Sequence, residues 1–165
     1  HARQRDIHLS LWILPRGTCL PLHDHPDMTV LMRHLYGELE VRSFDWMDKT
    51  RCGHPPTAGL SRLTEVLHWT DSVPRKKDTA EGNGNVAVFK PHSNNLHEIR
   101  ALSDAAFFDV IAPPYDHDEE ATRICTYYGA THQEDAIYHL EPLTHLSMNP
   151  CYTCENHELQ LQLSQ

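Results

Sequence analysis

Pro21-Leu22-His23-Asp24-His25-Pro26-Asp27-Met28-Thr29-Val30 is the stretch on which the reading of this chain turns. It follows Gly17 and leads into an alternating run that ends near Asp45. On a strand, side chains at i and i+2 point to one face. His23 and His25 would then aim two imidazoles into one space, as a metal site needs. A histidine from another strand would complete a three-nitrogen face, and His97 is the candidate for it.

Outward from that stretch, short alternating or apolar runs recur between Gly, Pro, Asn and Asp. Residues 7–14, 29–35, 38–44, 86–90, 95–101, 105–111 and 124–128 read as strands. Turns are expected at Tyr36-Gly37 and Ser103-Asp104, and Gly82-Asn83-Gly84-Asn85 is a hairpin signal. No segment keeps a long 3.6-residue apolar period, so the pattern predicts an all-β sandwich or small barrel with few short helices. Residues 47–81, with Arg51-Cys52-Gly53-His54-Pro55-Pro56 and the basic run Pro74-Arg75-Lys76-Lys77-Asp78, read as a long insertion between strands. Residues 140–165 read as a divergent, polar tail ending in alternate Leu159, Leu161 and Leu163.

The 165 residues fit one domain with enough chain for a sizeable core. A formal net charge of −9 argues against nucleic acid or an acidic membrane surface as partner. No apolar run approaches the roughly 18 residues of a membrane span. The opening His1-Ala2-Arg3-Gln4-Arg5 has no initiator Met and no apolar signal region, and reads as part of a longer polypeptide. The five cysteines, Cys19, Cys52, Cys125, Cys151 and Cys154, are odd in number and irregularly spaced, unlike a secreted disulfide framework. The absence of an Asn-X-Ser/Thr sequon favours the cell interior. The expectation is a cytoplasmic monomer, with the nucleus as a second compartment.

Gly17, His23-X-His25 and Gly37 together resemble the first cupin motif, without the Glu that usually follows the second histidine. Three neutral imidazoles leave a bound divalent ion its full charge, whereas a 2-His-1-carboxylate set would offset part of it. Such a site favours an anionic ligand, and a thiolate serves, because coordination deprotonates a thiol. Asp24 and Asp27 flank the pair. Strand geometry points Asp24 away from the imidazoles. Pro91-His92-Ser93-Asn94-Asn95-Leu96-His97 resembles the second cupin motif, with His92 in the expected turn as the competing ligand.

These blocks, with Leu35-Tyr36-Gly37, Ser43-Phe44-Asp45-Trp46, Phe108-Asp109-Val110-Ile111-Ala112-Pro113-Pro114-Tyr115 and Cys125-Thr126-Tyr127-Tyr128, resemble the cysteamine dioxygenase and plant cysteine oxidase family over residues 7 to 128. The Asn-Leu-His and Ala-Pro-Pro-Tyr forms are closer to the animal cysteamine dioxygenase branch. The resemblance implies a cupin double-stranded β-helix, a jelly-roll barrel, with Fe(II) held by His23, His25 and His97. It implies O2 as co-substrate, and cysteamine or an N-terminal cysteine of a protein as the thiol oxidised to a sulfinic acid. It also implies an oxygen-sensing role in protein turnover. The chain departs from the family in lacking the Gly of Gly-Arg-X-Cys before Cys125, and in lacking a visible Glu-Pro-Tyr-X-Gly-Pro segment.

Four further residues are candidates around that centre. Asp109 sits among apolar strand neighbours, so its carboxylate must be paired or hydrogen-bonded. It serves either the substrate amine or a ligand histidine, or a structural hydrogen bond. Cys125 and Tyr127, at i and i+2, either pack or form a thioether crosslink of the kind thiol dioxygenases can carry. Tyr127 could also place its hydroxyl near oxygen or thiolate. Tyr115 either shapes the entrance or ends its strand. Cys151-X-X-Cys154-X-X-His157 offers three zinc ligands, but a closed zinc site takes a fourth.

Overall fold

Side chains that alternate inward and outward fix most of the chain as strands. The computed structural model describes residues 7–51, 57–71, 86–116 and 123–144. The Gly82-Asn83-Gly84-Asn85 signal, the basic run 74–78 and Cys151-X-X-Cys154-X-X-His157 lie outside the described residues. The strands are β1 (His8–Leu14), β2 (Cys19–His23), β3 (Thr29–Tyr36), β4 (Leu39–Trp46) and β5 (Gly59–Trp69). They continue with β6 (Val86–Phe89), β7 (Leu96–Ala101), β8 (Ala105–Ala112), β9 (Tyr128–Glu134) and β10 (Ile137–Pro142). Among the described residues the one helical element is a 3-10 turn, Lys49–Arg51.

The pairing follows one rule. β1 pairs β8, β2 pairs β7, β3 pairs β6 and β4 pairs β5, all antiparallel. The first eight strands are thus a long two-stranded ribbon with β4 and β5 at its closed end. Cross-pairing of β3 with β8 and of β4 with β7 winds that ribbon into two sheets. Their orders are β1-β8-β3-β6 and β2-β7-β4-β5-β10-β9. A folded ribbon wound into two sheets is the jelly roll of a cupin.

Two cores follow from the two faces of the longer sheet. Leu39 and Val41 on β4, with Ile99 and Ala101 on β7, meet Met28 just before β3 and Val30, Met32 and Phe107 of the other sheet. The opposite face of the same strands carries Phe44, Trp46 and Leu96, buried with Leu22, Tyr128 and Leu140 in a second cluster. This second core exists because the six-stranded sheet curls until its edges meet. Tyr127, just before β9, bridges His23 at the end of β2, and Asp24 N–H donates to the Thr126 carbonyl at 3.1 Å. Curling in this way brings the β2 and β9 edges of that sheet together.

Three expectations are corrected. The stretch 47–81 is not simply an insertion: it contains β5, the longest strand, with 11 residues paired to both β4 and β10. Leu63 and Leu67 face inward on it, but so does Glu65, while Leu60 and Val66 face out, so its alternation is blurred. The expected strand 124–128 begins only at Tyr128 and runs to Glu134. Its partner β10 runs from Ile137 into the first three residues of what reads as a tail, and Leu140 there is fully buried.

Candidate metal centre and its pocket

β2 and β7 bring the first two histidines together, because His23 and His97 are direct register partners across that pair. His25 lies past the end of β2, in a turn closed by Met28 N–H donating to the His25 carbonyl at 3.1 Å. Pro26 and Asp27, the latter at φ 55, form the centre of that turn. This is the pattern of a type II turn, which favours proline first and needs positive φ second. What aims His25 is Asn95, one residue before β7. Its Oδ1 accepts the His25 N–H at 3.1 Å and its Nδ2 donates to the His25 carbonyl at 2.7 Å. The buried side-chain amide thus stands in for a strand pairing that the turn has broken.

The three imidazoles form a nearly equilateral group. Ring centroids are 4.9 Å apart for His23–His25 and 4.8 Å for the other two pairs. Their ligand nitrogens lie within 4.8 Å of one another. Nε2 of His25 and Nε2 of His97 are 3.3 Å apart. Two nitrogens sharing one ion at about 2.1 Å would be about 3.0–3.4 Å apart, so this pair is at ligand spacing.

Hydrogen bonds set the tautomers. A carbonyl can only accept, so His23 Nδ1–H donates to Pro21 O at 2.8 Å and leaves Nε2 bare. Tyr115 donates its hydroxyl proton to the Asp24 carbonyl at 2.6 Å, so its oxygen must accept from His25 Nδ1–H at 2.7 Å. His25 Nε2 is then also a free lone pair. His97 Nδ1 is buried and makes no hydrogen bond of ordinary geometry. Burial pushes all three histidines below the ordinary imidazole range, with the neighbouring histidines adding to the effect at His25 and His97. Three neutral, buried imidazoles, two of them with Nε2 left bare by their hydrogen bonds, suit a divalent cation.

The triad opens into a pocket of about 250 Å³ between the sheets. β1 lines it with His8, Ser10 and Trp12, and β8 with Asp109 and Ile111. Asp109 is the one carboxylate among the described lining residues. Burial raises its pKa to about 7, against the effect of a hydrogen bond from the Trp12 side chain. Its Oδ1 is buried without a partner. The remaining wall is Tyr115, Cys125 and Tyr127. Burial pushes the Cys125 thiol up to about 11, while hydrogen bonds with Tyr115 and Tyr127 act the other way.

Against this geometry, residues 2–156 match the PCO_ADO family model. The chain belongs to the PCO_ADO family. A probable 2-aminoethanethiol dioxygenase of Dictyostelium discoideum is 31% identical over 94% of this chain and 63% of its own length. The 2-aminoethanethiol dioxygenase of Mus musculus is 37% identical, over 73% of this chain and 48% of its own length. Plant cysteine oxidase 2 of Arabidopsis thaliana is 32% identical, over 73% of this chain and 39% of its own length. The chain therefore spans less than two-thirds of these relatives.

In this PCO_ADO chain, all seven residues singled out from the sequence, His23, His25, His97, Asp109, Tyr115, Cys125 and Tyr127, line the one pocket. Three reach it by a different route than expected: His25 sits in a turn past the end of β2, not beside His23 on one strand face. Cys125 and Tyr127 do not share a regular strand face: residues 124–126 are irregular and Tyr127 forms only an isolated bridge. Asp24 does point away from the imidazoles. Its carboxylate accepts the Thr126 N–H at 2.9 Å and the Tyr128 hydroxyl at 2.9 Å, although burial raises its pKa to about 6. His92 is exposed and outside the triad. Three contributors escaped the sequence reading: the Asn95 clamp, the Pro21 carbonyl, and the His8–Ser10 rim. For the last, the parity of β1 was the available signal.

Proposed function

We propose that this PCO_ADO chain is a ferrous thiol dioxygenase for small amine-bearing thiols, with cysteamine or the N-terminal cysteine of a peptide as substrate. The supporting observation is a carboxylate-free set of three neutral imidazoles sharing one pocket with the lone carboxylate of Asp109. His23, His25 and His97 would hold the iron. Bound Fe(II) would supply the redox chemistry that lets O2 react with a thiol, and the overall change is RSH + O2 → RSO2H. The uncompensated cation favours an anionic sulfur ligand. Trp12, Leu20, Ile99 and Ile111 keep the walls apolar. Asp109 would take the substrate's ammonium, whose positive charge offsets the burial that raises the carboxyl. The names of the relatives support this reading, and a sulfinate at a protein's N-terminus would give it a place in oxygen-dependent turnover.

The test is mass spectrometry of a Cys-initiated peptide and of cysteamine after incubation with the iron-loaded protein in 18O2. A gain of two labelled oxygens supports the proposal. Iron retention without oxygen gain on either thiol sinks it in favour of another chemistry. His97→Ala should lose iron retention, and unchanged iron content would remove His97 from the ligand set.

A further inference from the structure

One ion pair outside the triad grips the residues on either side of Tyr115. The Arg123 guanidinium donates from Nε to the Pro114 carbonyl at 3.0 Å, and its outer nitrogen pairs with the Asp116 carboxylate. The backbones are tied as well. Arg123 N–H donates to Asp116 Oδ2 at 3.0 Å, and Asp116 N–H donates to the Arg123 carbonyl at 3.0 Å. Pro114 and Asp116 are the chain neighbours of Tyr115, so one side chain straddles the tyrosine. Two residues beyond Arg123 is Cys125, whose thiol hydrogen-bonds with Tyr115.

We infer that Asp116 and Arg123 are positioning residues that hold the Tyr115 hydroxyl on His25 Nδ1 and so set the aim of one ligand histidine. Tyr115 reaches His25 from a segment that is not a strand, past the end of β8. No sheet ladder fixes that segment's height over the triad. The clasp replaces it with four contacts, two from the Arg123 guanidinium and two through the Arg123 backbone. Arginine is suited to this, because its planar fork serves a carbonyl and a carboxylate at once. Lysine's three donors radiate from one nitrogen on a flexible stem, without the fixed fork that sets the spacing of the two acceptors. The partners that orient a ligand histidine commonly govern metal affinity.

This inference rests on the metal-site reading above but not on the thiol reaction. The experiment is competition for Co(II) between a chromogenic chelator and five proteins: the parent, Arg123→Ala, Arg123→Lys, Tyr115→Phe and the Arg123→Ala/Tyr115→Phe double variant. The parent must bind Co(II); if it does not, the metal-site reading fails and this inference with it. With binding parents, Arg123→Ala should weaken affinity about tenfold, and Arg123→Lys comparably. In the Tyr115→Phe background the same change should cost less than about twofold, since the contact it positions is gone. An equal loss in both backgrounds would make the clasp merely structural and overturn the inference, as would no loss in either. Asp116→Asn, which keeps the side-chain shape, repeats the comparison if Arg123→Ala does not fold.

Discussion

Asp109 is buried on β8 with Trp12 as its hydrogen-bond donor and one oxygen without a partner. Its pKa of about 7 against an ordinary 3.8 means the folded chain keeps this proton where the unfolded chain has lost it. That contribution to stability is fully present below about pH 4 and is lost as pH rises toward 7. Asp109→Asn cannot ionise, so the metal-free variant should melt at least ~4 °C above the parent at pH 8 and close to it at pH 4. Asp24 is also raised, to about 6, but titrates in both proteins and cancels from the difference. Melting curves across that range decide it; an equal offset at both ends would mean Asp109 is not the titrating group. Asp109 was legible because a carboxylate between Phe108 and Val110 on a strand must have a reason to be there. Asn95 was not, because its role is a contact with His25, 70 residues away in sequence.

Gly37 shows how a turn between elements is set. It joins β3 to β4 at φ 82, and a Cβ there would collide with the Asp104 carbonyl and lie 2.6 Å from Ala105 Cα. Its N–H is also held by the Asp71 carboxylate at 3.0 and 3.1 Å. Gly37→Ala should cost at least roughly 2 kcal/mol from the left-handed backbone and the clash combined. Urea unfolding measures it, and a change under about 0.5 kcal/mol would show that the turn shifts without penalty. Strands with clean alternation and strong turns, such as β3, β4, β7 and β8, could be read within a residue or two. β5 could not, because its inward face carries Glu65 and its outward face Leu60 and Val66. β1 was found but reads inside out. Leu11 and Ile13 are 60% and 67% exposed, whereas Ser10 and Trp12 turn toward the pocket. A strand that turns His8 and Ser10 toward the pocket departs from the usual apolar-inward rule.

At the scale of the molecule, the two cores share β4 and β7 back to back. His97 and Leu96 project to opposite faces of β7, so the second core braces the strand that carries the histidine. Phe44 is 1% exposed, in edge contact with Tyr138 and central to that core. Phe44→Ala should cost about 3–5 kcal/mol and lower the melting temperature by about 10 °C. A shift of only a degree or two would mean that the curl of the long sheet contributes little to folding. The sequence by itself determined the local choices: strand over helix, the turns at Gly37 and Ser103-Asp104, and the residue types able to hold a metal. Those depend on periodicity and backbone preference within a few residues. Only the tertiary structure decided that β5 closes the ribbon, that His25 is aimed by Asn95 and Tyr115, and that Asp109, Cys125 and Tyr127 meet one pocket. Each of these is a contact between segments far apart in the chain, made when two sheets wind together, and no local pattern encodes which distant partner arrives.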